Sequence, residues 1–244
     1  MEFSPQQDAA LKSVARWLKA GRPQIFRLFG YAGTGKTTLA RHFAEHVDGQ
    51  VQFAAFTGKA AQVLRSKGAT NARTIHSLIY RPRGEEAVSD ETTGKTSMSP
   101  TFSLNRQSPI SRAKLVVVDE CSMVDEQLGR DLMTFGTPIL VLGDPAQLPP
   151  ISGGGFFTEH EPDVLLTEIH RQARDNPIIR LALDVREGRE FMKGDYGTAQ
   201  VIACLFWSGA SGNRLPIQIS SMRSRPVKMR AALALLMTPR RSGA

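Results

Sequence analysis

The residues that decide the fold are Gly30-Tyr31-Ala32-Gly33-Thr34-Gly35-Lys36-Thr37, which match the pattern G-x-x-x-x-G-K-[ST] at every fixed position. A short apolar run, residues 25–29, precedes them, and Leu39, Phe43 and Val47 follow at helical spacing. A glycine-rich turn between a buried strand and a helix N-terminus presents backbone N–H groups to phosphate oxygens. The stretch therefore predicts a phosphate-binding loop.

The same loop predicts which residues contact a nucleoside triphosphate and Mg²⁺. Lys36 is expected to reach the β- and γ-phosphates, and the Thr37 hydroxyl is expected to bind Mg²⁺. The predicted nucleotide-binding residues of the loop are Gly30, Gly33, Thr34, Gly35, Lys36, Thr37 and Thr38.

Two acidic residues, Asp119 and Glu120, follow Leu115-Val116-Val117-Val118, the clearest buried strand in the sequence. A carboxylate at the end of such a strand can hold the magnesium shell, so Asp119 is the predicted metal-side acid. Its neighbour Glu120 is the predicted general base, which accepts a proton from the attacking water. Without the phosphate loop, two surface acids that close a strand would be an alternative interpretation of the pair.

Gln147 lies in a proline-rich segment, residues 143–150, that follows the apolar run 139–142. A fixed amide near the γ-phosphate could orient the attacking water, and a plain turn is the alternative. The wider pattern alternates apolar strands with helices of about ten residues, beginning with a capped helix at Ser4-Pro5-Gln6-Gln7. This alternation predicts an α/β fold whose parallel sheet is covered by helices on both faces.

The composition indicates a globular protein, with 41% hydrophobic and 22% charged residues. No run of about 18 apolar residues occurs, which argues against a membrane span. The N-terminus lacks the pattern of a signal peptide, and the two cysteines have no metal-like spacing, so a cytoplasmic location is expected. Much of the net charge of +8 comes from residues 195–244, which hold seven Lys or Arg and one acid.

Taken in order, the motifs resemble those of superfamily 1 DNA helicases, closest to the RecD-like and Dda-like branch. The resemblance covers residues 3 to about 190. It rests on the following segments: Ser4–Gln7, Gly30–Thr37, Phe56-Thr57-Gly58-Lys59-Ala60-Ala61, Thr74-Ile75-His76-Ser77-Leu78, Asp119-Glu120-Cys121-Ser122-Met123, Gly143–Pro150 and His170-Arg171-Gln172.

The resemblance implies a RecA-like P-loop ATPase lobe that moves on single-stranded DNA. It implies ATP as the nucleotide, with Gln7 on the adenine and Arg171 reaching the γ-phosphate. The implied DNA contacts are Thr57, Lys59, Thr74 and His76, a sequence-independent kind of binding. The alternatives are that Thr57 only starts a helix and that His76 is a buried histidine. The implied activity is 5′–3′ translocation and duplex unwinding in recombination, repair or replication.

The expected domains are a RecA-like lobe at 1–194 and an irregular, basic, disordered tail at 195–244. Within the lobe, 81–112 is either a flexible loop or a small pin-like subdomain that splits the duplex. Helicases of this type need a second lobe that supplies an arginine to the transition state. Residues 195–244 are too few for one, so we expect a truncated member with a lost second lobe. The alternative is a single-lobe ATPase switch or subunit that takes the arginine from a partner protein.

Overall fold

The computed structural model describes residues 3–89, 96–144, 147, 155–169, 179, 181 and 184, together with strand segments 194–196, 199–201, 219–221 and 224–227. The chain divides into two compact units. The first comprises Met1–Gly30, Lys36–Pro145 and Pro149–Leu166, and the second comprises Tyr31–Gly35, Ala146–Leu148 and Thr167–Ala244.

Helices and strands alternate through the first unit. Its α-helices, within the described residues, are α1 (Pro5–Ala20), α2 (Lys36–Glu45), α3 (Gly58–Ser66), α4 (Ile75–Ile79) and α5 (Glu126–Met133). Its strands, on the same basis, are β1 (Ile25–Gly30), β2 (Val51–Ala55), β3 (Arg73–Thr74), β4 (Tyr80–Ser89), β5 (Thr96–Leu104), β6 (Leu115–Asp119), β7 (Ile139–Gly143) and β8 (Val164–Leu166). Short 3₁₀ helices occupy Pro109–Arg112 and Cys121–Met123.

Six of these strands form one sheet in the order β3-β2-β6-β7-β1-β8. Every neighbouring pair in it is parallel. The carboxyl ends of the strands therefore meet at one edge of the sheet, here called the carboxyl edge. Gly30, Ala55, Asp119 and Gly143 are the last residues of β1, β2, β6 and β7 and lie at this edge.

Helices cover both faces of the sheet, as the sequence predicts. On one face, apolar residues of α1, α2 and α3 form a buried cluster with alternate strand residues, among them Val14, Leu39, Leu64, Val117 and Leu140. On the other face, α4 and α5 form a second cluster, among them Ile75, Leu78, Leu128, Val116 and Val118. The strands are buried on both sides, which is why residues 115–118 are a continuous apolar run rather than an alternating one.

The first helix begins as its sequence predicts. The Ser4 hydroxyl accepts a hydrogen bond from the Gln7 backbone N–H at 3.3 Å, and the Gln7 side chain accepts one from the Ser4 N–H at 3.0 Å. This reciprocal pair is a capping box. The helix ends at Gly21, whose φ of 73° is the left-handed conformation that glycine adopts without strain.

Residues 81–112 contain regular structure. β4 and β5 pair antiparallel from Tyr80 opposite Leu104 to Ser89 opposite Thr96, with a register shift between Pro82 and Gly84. We call this two-stranded element the ribbon. Part of residues 81–112, for which the sequence allows either a flexible loop or a small pin-like subdomain, is therefore paired as strands. A role of the ribbon in splitting a duplex stays a prediction.

The second unit contains a four-stranded antiparallel sheet in the order β12-β11-β10-β9. Its strands are β9 (Gly194–Tyr196), β10 (Ala199–Val201), β11 (Ile219–Ser221) and β12 (Ser224–Val227). These strands correct the expectation of an irregular tail for the segments they occupy, and the rest of residues 195–244 lies outside the described residues. Among the helices that the structure describes, none is both long and apolar enough to span a bilayer.

Candidate functional site

Two predicted metal ligands meet at the carboxyl edge. Thr37 lies in the first turn of α2 and Asp119 at the end of β6, and the Thr37 hydroxyl donates a hydrogen bond to Asp119 Oδ2 at 3.0 Å. A hydroxyl and a carboxylate are oxygen ligands of the kind that Mg²⁺ prefers. The pair therefore suits a small, hard divalent cation.

Asp119 is held in place by several donors. Its Oδ1 accepts a hydrogen bond from the Glu120 backbone N–H at 3.0 Å, while Oδ2 is bound to Thr37. Burial nevertheless raises the pKa of the Asp119 carboxyl above its usual value, against the lowering effects of Thr37, the Glu120 N–H and Lys36. A cation beside this carboxylate would offset the cost of its desolvation. The environment thus supports a metal-side role for Asp119.

Lys36 is the first residue of α2, and its Nζ donates a hydrogen bond to the Gly30 carbonyl at 2.6 Å. The ammonium group therefore lies at the end of β1, where the predicted phosphate loop begins. Thr38 is half-buried in the same turn of α2.

The loop itself, Tyr31–Gly35, adopts the backbone that its glycines allow. Gly33 and Gly35 have φ angles of 81° and 79°, in the left-handed region that disfavours residues with a Cβ. Thr34 is fully buried, and its hydroxyl donates to the Tyr31 carbonyl at 2.9 Å. The glycines at these positions are thus explained by backbone conformation.

Glu120 has an unusual backbone. With φ 55° and ψ 47° it is the one non-glycine residue with positive φ in the part of the chain that the structure describes. This conformation costs about 1–2 kcal/mol for a residue with a Cβ, and such strain often occurs at functional sites. The side chain is exposed, so water can reach the carboxylate. The role of Glu120 as general base stays a prediction.

The next residue, Cys121, has a structural role. Its side chain is fully buried, and burial raises the pKa of the thiol to about 12. A thiol in this environment stays protonated and unreactive at neutral pH.

The structure says less about the other predicted nucleotide contacts. Gln7 is buried and its Oε1 is engaged in the cap of α1, so contact with an adenine stays a prediction. Gln147 is exposed, whereas residues 145–146 and 148–150 lie outside the described residues. Arg171 also lies outside them, and its predicted role is untested.

The four predicted DNA contacts lie at the carboxyl edge, where β2 and β3 pair with Ala55 opposite Thr74. The Thr57 hydroxyl accepts from the Ala60 N–H at 3.1 Å and so caps α3. The Thr74 hydroxyl accepts from the Ser77 N–H at 3.2 Å and caps α4. Lys59 is exposed. His76 is exposed too, so the alternative of a buried histidine is wrong.

Two aromatic residues that the sequence analysis did not single out lie beside His76. The Phe56 ring is 6.0 Å from the His76 ring in an edge-on arrangement, and the Tyr80 ring is 5.8 Å away, centroid to centroid. The four-residue spacing of His76 and Tyr80 is a signal for contact on a helix. Nothing in the sequence indicates that Phe56 joins them.

Known proteins with similar sequences include a DNA helicase and conjugal transfer proteins. The chain is 33% identical over 178 residues to the ATP-dependent RecD2 DNA helicase of Deinococcus radiodurans, a match that covers 69% of this chain and 22% of that protein. It is 30% identical over 197 residues to the conjugal transfer protein TraA of Rhizobium radiobacter, covering 76% of this chain and 15% of TraA. The chain thus spans less than a quarter of either relative. The RecD2 match confirms the predicted resemblance to RecD-like helicases.

Solved structures confirm the fold. The Bacteroides Pif1 helicase in complex with ADP-AlF3 and ssDNA superposes with a TM-score of 0.52 at 22% identity, covering 78% of this chain and 48% of that one. Two coordinating Pif1 helicases at forked dsDNA give a TM-score of 0.51 at 21% identity, covering 76% and 48%. The α/β lobe is therefore of the RecA-like type predicted from the sequence. The family model of the AAA domain, AAA_30, matches residues 2–203, and the chain belongs to that family.

Proposed function

We propose that residues 1–194 form the ATP-binding and ATP-hydrolysing motor lobe of a RecD-like DNA helicase. The observation that carries the proposal is the hydrogen bond between Thr37 and Asp119, at 3.0 Å, beside Lys36 at the end of β1. The residues on the two sides of this bond come from the phosphate-loop helix and from the strand that ends in the acidic pair. Their convergence supports nucleotide chemistry rather than a chance glycine-rich turn.

Each side chain has a distinct task in this proposal. Lys36 leaves the Gly30 carbonyl and neutralises the β- and γ-phosphate oxygens. Mg²⁺, when bound, supplies further charge neutralisation at those oxygens, with Thr37 and Asp119 as its ligands. Glu120, exposed on its strained turn, accepts the proton of the attacking water. Gln147 orients that water, Arg171 contacts the γ-phosphate and Gln7 contacts the adenine.

The polymer substrate is single-stranded DNA, held at the carboxyl edge by Thr57, Lys59, Thr74 and His76. The Bacteroides Pif1 helicase has been solved in complex with both ADP-AlF3 and ssDNA, which supports this pairing of ligands. The whole activity is translocation in the 5′–3′ direction with duplex unwinding in recombination, repair or replication. The arginine that completes the transition state comes from a second lobe or a partner protein.

The test is hydrolysis of ATP by the chain with Mg²⁺, with and without oligothymidine. We expect the DNA to stimulate hydrolysis. The variant Glu120→Gln should lose about 10²–10⁴-fold in rate, the usual contribution of a general base, and should still bind ATP. Glu126→Gln is the matched control, because Glu126 is exposed on α5 and pairs with Arg130 at 2.5 Å. Wild-type hydrolysis by Glu120→Gln would contradict the assignment of the base.

A further inference from the structure

Tyr80 joins two parts of the molecule. It is the residue that ends α4, and it is also the first residue of the ribbon strand β4. Its ring contacts His76 one helical turn earlier, at a centroid distance of 5.8 Å and an interplanar angle of 43°. This separation is within the range of interacting aromatic pairs. The orientation of Tyr80 therefore affects the position of the exposed His76 ring.

The Tyr80 hydroxyl is anchored on a different helix. It donates a short hydrogen bond to Asp131 Oδ2 on α5. The same oxygen accepts a hydrogen bond from Gln127 Nε2, one turn earlier on α5, at 3.1 Å. Burial and the Asp131 carboxylate raise the pKa of the Tyr80 phenol, so it remains a donor throughout the neutral range. The carboxylate is thus held by its own helix and in turn holds the tyrosine.

The two helices that the hydrogen bond connects are packed in one core cluster. Ile75, Leu78 and Ile79 of α4 are buried in the same cluster as Leu128 and Leu132 of α5. Because this packing is fixed, Asp131 is a stationary anchor for the Tyr80 ring. His76, in contrast, is exposed on the first turn of a five-residue helix, where an unsupported ring would sample several rotamers.

We infer that Tyr80 is a positioning residue for single-stranded DNA, which acts by holding the His76 ring in its binding orientation while Asp131 holds Tyr80. The inference rests on the proposed function, because it assumes that His76 contacts DNA. Tyr80 itself need not touch the strand. The loss of entropy on DNA binding is smaller when the histidine ring is already oriented.

A double-mutant cycle tests this role by fluorescence anisotropy of labelled oligothymidine at constant salt. Tyr80→Phe keeps the ring and removes only the hydroxyl, and we expect DNA affinity to fall about two- to tenfold. In the His76→Ala background the same change should have no further effect, because the residue through which Tyr80 acts is gone. The control Glu126→Gln, on the same helix as Asp131, should match the wild type within twofold.

An NMR spectrum of the free protein provides a second measurement. The ring-proton resonances of His76 should move in Tyr80→Phe, since the orientation of the neighbouring ring changes. Equal losses of affinity from Tyr80→Phe with and without His76 would overturn the inference, as would unchanged affinity in Tyr80→Phe when His76→Ala binds weakly. If His76→Ala binds like the wild type, or if the wild type binds no DNA, the proposed DNA site itself is wrong.

Discussion

The carboxyl edge of the sheet has two ends that are built differently. At the end proposed to bind nucleotide, here called the nucleotide end, one hydrogen bond joins distant parts of the chain: Thr37 and Asp119 are 82 residues apart. At the DNA end, the hydroxyls of Thr57 and Thr74 bond to N–H groups three residues away and serve as helix caps. A long-range bond thus joins the two proposed metal ligands, whereas the two threonine hydroxyls take part in local helix capping.

This difference determines what a ligand must displace. A nucleotide has to replace existing bonds, such as that between Lys36 Nζ and the Gly30 carbonyl. In the proposed function, a DNA strand would meet exposed side chains at Lys59 and His76, while the threonine hydroxyls are already engaged as caps. Substitution of Lys36 should therefore act mainly on nucleotide affinity, and threonine substitutions at the DNA end should act on both helix stability and affinity.

Among the substitutions that compare the two ends, Lys36→Ala has the largest expected effect, and Lys59→Ala is its counterpart at the other end. Lys36→Ala should weaken ATP binding by about 1.5–3 kcal/mol, or roughly 10- to 150-fold, the value of a hydrogen bond to a charged group. Lys59→Ala should leave ATP affinity unchanged. It should reduce the slope of log K for DNA binding against log salt concentration by about one, the contribution of one phosphate contact. Titrations with fluorescent ATP and labelled oligothymidine measure both. Loss of ATP binding in both variants would remove the distinction between the ends.

The second prediction compares the packing of one glycine from each end. A Cβ on Gly143, the last residue of β7, would lie 2.8 Å from Cys121 Sγ and 3.4 Å from Phe29 Cε1, whereas a Cβ on Gly58 would meet no atom within 4 Å. Gly143→Ala should therefore cost about 1–3 kcal/mol through overpacking. Gly58→Ala should be neutral or stabilise by up to about 1 kcal/mol, because α3 gains a better helix former. Urea unfolding measures the change in the free energy of unfolding for each variant. Changes of equal sign and size would contradict the difference in packing between the two glycines.

Much of the fold was predictable because its signals are local or repetitive. The apolar run 115–118 indicates a strand that is buried on both faces of the sheet, and the capping box at residues 4–7 indicates the start of a helix. The structure of the ribbon does not follow from the sequence, because residues 81–112 have little apolar content and the ribbon is defined by the pairing of β4 with β5. The two-residue strand β3 is too short to show any period.

The residues of the candidate site also fall into a group that the sequence predicts and a group that it does not. Lys36, Thr37 and Asp119 were predictable because each has a fixed place in a motif, and the structure brings Thr37 and Asp119 together. The link between Tyr80 and Asp131 was not predictable, since 51 residues separate the partners and neither belongs to a motif. The left-handed backbone of Glu120 was also hidden, because glutamate rarely adopts it and no sequence pattern marks it.

The smallest expected effect comes from substitutions of Thr57, which test whether this residue contacts DNA in addition to capping α3. Thr57→Ala removes the cap of α3 and should lower the free energy of unfolding by about 1 kcal/mol. Thr57→Ser keeps a hydroxyl that can accept from the Ala60 N–H, so it should retain most of that stability. If capping is the only role, oligothymidine affinity at a temperature where all variants are folded should be the same in the three proteins. We expect instead that Thr57→Ala binds DNA more weakly and that Thr57→Ser restores binding. Equal affinities would reduce Thr57 to a helix cap, and the DNA contacts at this end would then depend on Lys59 and His76.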